Sequence, residues 1–418
     1  MRKTWSLVAQ TSGSRLYWLV ASLLTTVITA RYLGPDGRGV YVAAVGWVTM
    51  FATFGTLSIS QVIIYLAAGK PQDGWLPQVL GSALAIAGAV TVIAAAVAAL
   101  LYAGSDGRLF RHLDASVLAI AFLALPFMIW IENGNSILMA SGRLTAMNAS
   151  QVIGATAALL LTFLVVAVAR LGVTGALFAM TLAQAVTVGI ALVLIGRMAG
   201  AIRVDRPVLR ELLSGGVKLH LNAVGTYLFT QANVLILNNY RRPDETAYFQ
   251  LAVQLFVGMQ VLPNAVSAVA YSLVSRKGPD EAWPEHRKLL FHSALVIALL
   301  SVIAWFVMPY VVPFVFGARY LPAIPLFQIL LLGSVGMTMS LVMSSQWIAR
   351  GLFLQAALLT LLVGCITVAG NYAFVPRYGS VGAAWVTVGT YTISVIGNGI
   401  MALWVESRYR AWRADKTA

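Results

Sequence analysis

The stretch GSALAIAGAVTVIAAAVAALLY, residues 81–102, decides the fold class of this chain. It contains no charged residue, and as a helix it would rise about 33 Å at about 1.5 Å per residue. That length crosses the ~30 Å hydrocarbon core of a bilayer. We therefore predict a transmembrane helix near residues 78–102.

Similar apolar runs recur along the whole chain. Of its 418 residues, 60% are hydrophobic and 10% are charged, and the mean hydropathy is +0.84. A water-soluble protein needs more charge to cover its surface. The sequence therefore predicts an all-α polytopic membrane protein. Its twelve predicted spans lie near residues 13–31, 40–67, 78–102, 115–140, 149–169, 173–196, 217–239, 248–274, 289–316, 322–348, 353–375 and 380–404.

The basic residues predict the orientation of these spans. The net charge is +14, but the basic residues lie in short loops and form no aromatic-interleaved patch typical of nucleic-acid binding. With a cytoplasmic N-terminus, the cytoplasmic segments hold 19 of the 28 Lys and Arg residues. The positive-inside rule then places both termini, including the basic tail Arg408 to Lys416, in the cytoplasm. We expect no nucleic-acid partner.

Residues suited to catalysis or cofactor binding are few. Cys365 is the only cysteine, so the chain can form neither an intramolecular disulfide nor a thiolate metal site. No GxxxxGK[S/T] motif for nucleotide phosphates is present. No metal-ligand cluster or nucleophile–His–carboxylate pattern is legible either. We expect no metal, no other cofactor and no enzyme activity.

The chain contains an internal repeat of six spans. At an offset of 207, Arg143 aligns with Arg350, and LGVTGA at 171–176 aligns with YGSVGA at 378–383. At an offset of 208, Pro35-Asp36 aligns with Pro243-Asp244. Because six is an even number, both halves enter the membrane from the same side and the repeat is parallel.

The repeat divides the chain into an N-lobe of residues 1–204 and a C-lobe of residues 205–418. Basic and apolar residues alternate over the linker between them, about 197–216. We predict that this linker forms an amphipathic helix on the anionic inner leaflet.

Three segments resemble a known transporter family. ARYLGPDGRGVY at 30–41 is similar to the loop after the first span of polysaccharide-export flippases. SGR at 141–143 with Asn148, and YGSVGAAW at 378–385, add to the similarity. These flippases include the Wzx-type O-antigen flippases and belong to the multidrug/oligosaccharidyl-lipid/polysaccharide (MOP) superfamily.

The resemblance implies a V-shaped pair of six-helix lobes around a central cavity. It implies alternating access that moves an undecaprenyl-pyrophosphate-linked oligosaccharide from the inner to the outer leaflet of a bacterial inner membrane, for surface polysaccharide biosynthesis. The implied partners are this substrate, membrane lipids and other polysaccharide-assembly membrane proteins. Many relatives carry an Arg-x-Asp-like pair in the seventh helix, where this chain has Gln231-Ala-Asn233 and thus no charged pair.

The resemblance also implies that the first, second, seventh and eighth helices line the cavity, and each carries polar residues at helical spacing. Neutral donors and acceptors suit hydroxyl-rich sugars. Arg15, and Arg31 on the outer side, are candidates for the pyrophosphate, because guanidinium binds phosphate oxygens in a bidentate fork. The cavity candidates are Arg15, Ser22, Thr26, Thr29, Arg31, Thr49, Thr53, Thr56, Asn222, Thr226, Thr230, Asn233, Gln250, Gln254 and Asn264.

Glu132 is the only acidic residue well inside a predicted span. Because an embedded carboxylate is costly, Glu132 with Asn133 and Asn135 is a candidate for binding a coupling proton or ion. A structural pairing of Glu132 with Arg15 or Arg143 is the alternative. The Ser and Thr stripes can equally mediate dry helix packing, and Arg15 can snorkel to the interface.

Two other functions stay open. A cation-coupled drug extruder of the same superfamily shares the architecture. A single embedded carboxylate, however, is sparse for dedicated ion coupling. A membrane polysaccharide polymerase or ligase usually has a sizeable outer loop with catalytic residues. The longest predicted outer loop, about 103–114, is too short for that role.

Overall fold

The structure is a computed structural model that describes the backbone of residues 2–68 and 74–417. Side chains are described for residues 10, 11, 13–68 and 74–407. Over this part of the chain the protein is almost entirely helical and contains no strand, which confirms the predicted all-α class. The side chains of the basic tail, Arg408 to Lys416, lie outside the described residues.

The helices pack into two compact units. The first consists of Met1–Tyr227 and Arg241–Ala247, and the second of Leu228–Tyr240 and Tyr248–Ala418. This grouping by packing differs from the predicted division by repeat into 1–204 and 205–418, because residues 205–227 pack within the first unit. The division by repeat stays a prediction.

The helices of the first unit begin at the N-terminus and extend into the seventh predicted span. They are α1 (Arg2–Gly55), α2 (Ile59–Ala67), α3 (Leu76–Gly104), α4 (Ala115–Phe122), α5 (Leu125–Ala140), α6 (Leu144–Thr162), α7 (Gly172–Ala199) and most of α8 (Arg206–Thr230). A π-helix, Phe163–Val168, continues α6. Within this unit α1 packs mainly against α6, and α5 packs against α2 and α7.

The second unit contains the remaining helices. They are α9 (Ala232–Tyr240), most of α10 (Pro243–Met259), α11 (Val261–Lys277), α12 (Trp283–Phe316), α13 (Ala323–Leu332), α14 (Ser334–Ala349) and α15 (Phe353–Thr417). α14 packs against α11, α12 and α15, and α9 packs against α15. One buried cluster joins three of these helices through Ala270, Leu290, Val342, Met343 and Trp347.

Within the described residues, seven helices are long and apolar enough to cross a membrane, or up to nine if each bent pair is one span. The bent pairs are α10–α11, at 43°, and α13–α14, at 51°. Two of the seven, α1 and α15, each contain two helices joined at a kink. The predicted span 217–239 corresponds to α8 and α9. It is not among the seven, because its polar side chains lower its hydropathy. Every predicted span has a helix or helix pair, and the multi-span architecture is confirmed.

Gly34 makes the turn that the sequence predicts as a loop between the first two spans. Its φ of 68° and ψ of 178° are values that residues with a Cβ rarely adopt. Pro35 follows, with φ fixed near the helical value and no N–H to leave unpaired in the next helix. Gly172 and Gly379, which align at the repeat offset of 207, also share a left-handed φ, at 64° and 57°.

The prediction of a helix over the whole linker, about 197–216, is wrong in its first part. α7 ends at Ala199, Gly200 is left-handed, and residues 201–205 are not helical. α8 begins at Arg206 and continues into the seventh predicted span. The reason lies in Asp205, whose Oδ1 accepts the N–H of Val208 at 3.1 Å and so caps a new helix start.

Candidate substrate-binding residues

The N-terminal half of α1 carries the polar stripe of the first predicted span. Arg15 is exposed and Ser22 is half-buried, whereas Thr26 and Thr29 are buried. Thr29 donates its hydroxyl to carbonyl oxygens of its own helix, those of Thr25 and Thr26, each at 3.0 Å. Arg15 is therefore the most exposed member of this stripe, and Ser22 is partly accessible.

The C-terminal half of α1 carries Thr49, Thr53 and Thr56, all half-buried. Thr56 donates its hydroxyl to the carbonyl of Thr53 at 2.8 Å. Directly afterwards Leu57 and Ser58 take left-handed conformations, with φ of 46° and 52°. For residues with a side chain this conformation costs on the order of 1 kcal/mol each, so neighbouring contacts must hold it.

α8 supplies those contacts. Gly216 packs against the carbonyl oxygen of Leu57 so closely that a Cβ at this position would overlap it. The hydroxyl of Ser58 lies 3.2 Å from Nδ1 of His220. The strained break between α1 and α2 is therefore part of the surface against which α8 packs.

One face of α8 is fixed to α1 and another is exposed. Tyr227 donates its hydroxyl to the carbonyl of Gly46 at 3.1 Å, and its ring packs edge-on against Phe54 at 5.6 Å between centroids. Asn222 and Thr226 are exposed, and Thr226 donates to the carbonyl of Asn222 at 2.9 Å. These two residues give α8 an exposed, neutral, polar surface.

Asn233, one of the predicted cavity residues, is buried in the core of the second unit. Its Nδ2 donates to Oγ1 of Thr387 at 2.9 Å, and its Oδ1 accepts from Nδ2 of Asn371 at 2.8 Å. Asn371 also donates to the carbonyl of Thr367 at 2.7 Å. All four are buried. We call this group the asparagine clamp; it joins α9 to α15. Thr230, before it in the chain, is half-buried.

The polar groups of the eighth predicted span, α10 and α11, differ in their degree of burial. Gln250 and Gln254 are half-buried, and Oε1 of Gln250 has no hydrogen-bond partner among the described residues. Asn264 is exposed and donates Nδ2 to the carbonyl of Gln260 at 2.7 Å. Gln260 itself is buried at the bend between the two helices.

Glu132 lies on α5, inside one of the seven membrane-crossing helices. Glu132 is exposed, Asn133 is buried and Asn135 is half-buried. No cation of the described residues lies within ion-pair distance of Glu132, so the alternative pairing with Arg15 or Arg143 is not formed. An exposed carboxylate in a membrane-spanning helix favours a hydrated surrounding, because a bare charge in lipid is costly.

The end of the first predicted span carries Arg31, which is exposed. Beyond it, Arg242 lies 3.8 Å from the carboxylate of Asp36 and 3.6 Å from that of Asp244. Arg242 thus forms ion pairs with both of the loops that align at the repeat offset of 208. The described residues contain no group of three His, Cys, Asp or Glu that could hold a metal.

Two contacts were missed by reasoning from sequence. The asparagine clamp had a signal, since Asn371 and Thr387 are polar residues inside apolar spans and such residues seek partners. The packing of α8 against Leu57 and Ser58 had no such signal in the sequence, because nothing in these residue types indicates a left-handed backbone.

Comparisons with known proteins support the transporter resemblance. The family model described as "Polysaccharide biosynthesis protein" matches residues 8–277, well over half of the chain. No curated protein sequence matches the chain.

Solved structures share its fold. The lipid II flippase MurJ in an inward closed conformation has a TM-score of 0.75 at 16% identity, over 94% of this chain and 87% of that one. An inward-facing multidrug resistance MATE family transporter of the MOP superfamily has a TM-score of 0.75 at 16% identity, over 95% and 96%. A MOP superfamily transporter from Pyrococcus furiosus has a TM-score of 0.63 at 13% identity, over 97% and 96%. Identities this low show similarity of fold alone.

Proposed function

Because the chain belongs to the polysaccharide biosynthesis protein family, we propose that it is a flippase for a lipid-linked oligosaccharide. The cargo is an oligosaccharide on undecaprenyl pyrophosphate, moved from the inner to the outer leaflet of a bacterial inner membrane by alternating access. Both termini lie in the cytoplasm. The chain is a transporter and not a polysaccharide polymerase or ligase.

The observation that carries this proposal is the exposed polar surface of α8 in the first unit. Asn222 and Thr226 are exposed although they lie in the seventh predicted span. Side chains that face lipid are apolar, so exposed amides and hydroxyls at this depth favour a water-filled space. Neutral donors and acceptors match the hydroxyl groups of a glycan, which carry no charge to pair.

Arg15 is the residue that we propose for the pyrophosphate. Its side chain is exposed and forms no ion pair with the described residues. In the proposed orientation it lies near the cytoplasmic end of the first span, where the headgroup of the cargo must be captured. Its guanidinium offers two parallel N–H donors to phosphate oxygens.

The test is translocation in proteoliposomes that contain only this protein and a labelled undecaprenyl-pyrophosphate oligosaccharide. A membrane-impermeant glycosidase outside the vesicles cleaves the cargo in the outer leaflet. We expect protein-dependent cleavage beyond the half that is initially outside. Cleavage that stops at that half, with folded protein and several glycans tried, contradicts the proposal.

A matched pair of variants tests the polar surface itself. Thr226→Ala removes an exposed hydroxyl that bonds to its own helix, and we expect slower flipping, more so when combined with Asn222→Ala. Thr174→Ala is the control, because Thr174 is also exposed and also donates to a carbonyl of its own segment, that of Leu171 at 3.1 Å, but lies on α7. Equal rates for native, test and control proteins would remove this surface from substrate binding.

Exposure of Glu132 favours a second candidate, the cation-coupled extruder. In that case an imposed proton or sodium gradient would drive ethidium into proteoliposomes, and Glu132→Gln would abolish the uptake. A flippase without ion coupling would show no gradient-driven uptake and would keep its flipping rate in Glu132→Gln. The two assays on the same vesicles separate the candidates.

A further inference from the structure

The first turns of α8 border an open pocket of about 580 Å³ in the first unit. Its lining residues are Arg206, Pro207, Arg210, Glu211 and Ser214. Arg206, Arg210 and Ser214 recur every four residues and so lie on one helix face. The volume falls within the ~300–1,000 Å³ typical of ligand pockets.

The charge of this pocket suits a phosphate group. Within the described part of the chain, neither Arg206 nor Arg210 forms an ion pair. Two guanidinium groups one helical turn apart present donor forks that fit phosphate oxygens. Glu211 contributes one opposing carboxylate, so the pocket keeps a net positive charge.

The segment that leads into the pocket is held in place by hydrogen bonds to α3. The N–H of Arg203 donates to the carbonyl of Pro77 at 3.0 Å. Ser82 donates its hydroxyl to the carbonyl of Asp205 at 3.3 Å, and the N–H of Asp205 donates back to that hydroxyl at 3.2 Å. The segment before the pocket is therefore anchored to α3 at Arg203 and Asp205.

Two exposed apolar side chains precede the pocket residues in the chain. Ile202 is 65% exposed and Val204 is 61% exposed, on either side of Arg203. Exposed apolar residues interleaved with basic ones are typical of a segment at the membrane interface. The predicted orientation puts this segment at the inner leaflet, whose surface potential is negative.

We propose that Arg206 and Arg210 bind the phosphate headgroup of an anionic phospholipid, with Ile202 and Val204 against its acyl chains. A free phosphate ion would use the arginines alone, whereas a phospholipid uses both features, and this decides the ligand. Such a lipid ties the start of α8 to the membrane surface.

The test uses the full-length protein in dodecyl maltoside and native mass spectrometry. Titration with phosphatidylglycerol gives a dissociation constant, and titration with phosphatidylcholine and with inorganic phosphate gives the two comparison arms. We expect the native protein to prefer phosphatidylglycerol. Arg206→Gln with Arg210→Gln should weaken its binding on the order of 30-fold.

Two further pairs make the result specific. Arg287→Gln with Lys288→Gln removes two exposed charges elsewhere and should leave the affinity within about twofold of native. Ile202→Ser with Val204→Ser should weaken phosphatidylglycerol but not inorganic phosphate. If the arginine-to-glutamine pair unfolds, Arg206→Lys with Arg210→Lys keeps the charge and should still lose affinity severalfold.

Three outcomes would overturn the proposal. An equal loss in the Arg287/Lys288 pair would mean diffuse surface charge and no site. Displacement of phosphatidylglycerol by equimolar inorganic phosphate would mean a free-anion site. Unchanged affinity in both arginine pairs would exclude the pocket.

Discussion

Replacement of Asn233 by alanine separates a structural role from a cavity role, and the asparagine clamp sets its magnitude. The change removes two hydrogen bonds, to Thr387 and from Asn371. Interhelical bonds in membranes contribute about 0.6 kcal/mol on average and about 1.7 at most. The remaining partners are not orphaned, because Asn371 still donates to Thr367 and Thr387 still donates to Ala383. We therefore expect a loss of about 1–3 kcal/mol in the free energy of unfolding.

The assay is equilibrium unfolding in mixed dodecyl maltoside and SDS micelles, followed by tryptophan fluorescence. A loss of about 1–3 kcal/mol lowers the folded-to-unfolded ratio roughly 5- to 150-fold at fixed SDS, and it moves the midpoint accordingly. Asn222→Ala is the matched control, since the same residue type on an exposed face should change stability by less than about 0.5 kcal/mol.

The flipping assay supplies the contrast. Asn222→Ala should slow translocation while the protein stays as stable as native. Asn233→Ala should lower stability, and its flipping rate per folded molecule should change little. If Asn233→Ala instead keeps native stability and slows flipping as much as Asn222→Ala does, the clamp is not structural and the cavity prediction is right.

Three further predictions use other residues. Arg15→Ala should abolish surface-polysaccharide export with normal membrane levels on immunoblots, and Arg15→Lys should keep part of it; normal export in Arg15→Ala removes this residue from the mechanism. Gly216→Val should cost about 1–3 kcal/mol in the SDS assay by overpacking. Gly189→Val, where an added Cβ meets nothing within 4 Å, is its control. Equal losses of stability in the two variants would contradict close packing of Gly216 against Leu57. An alkaline phosphatase reporter fused at residue 243 should be active and one at residue 205 inactive, and the opposite pattern reverses the orientation.

The membrane-spanning architecture was predictable because it depends on the length and apolarity of short segments. The run at 81–102 lies inside α3, and even the weakly apolar span at 217–239 corresponds to helices. The start of α8 also had a local signal, since Asp205 and Pro207 are typical of a helix beginning. The basic residues from Arg197 onward are also typical of one amphipathic surface, which hides this helix start in the sequence.

Placement of the polar residues was less predictable, because helical spacing identifies a face but not what the face meets. Asn222 and Asn233 belong to the same predicted span, yet one is exposed and the other is enclosed between α9 and α15. The difference arises from packing partners far away in sequence, such as Asn371. The backbone of Leu57 and Ser58 is set by α8 in the same way, and no local preference indicates it.

The place of α8 in the first unit has a consequence for synthesis. After the end of α7 at Ala199, the ribosome must add the chain up to Ala247 before every segment of the first unit exists. At ~5–20 residues per second this takes roughly 2–10 s. During that interval the break at Leu57 lacks Gly216, the residue against which it packs. The first unit is therefore incomplete for several seconds after α7 has been made, and a fragment that stops at the repeat boundary, residue 204, lacks α8, which packs within this unit.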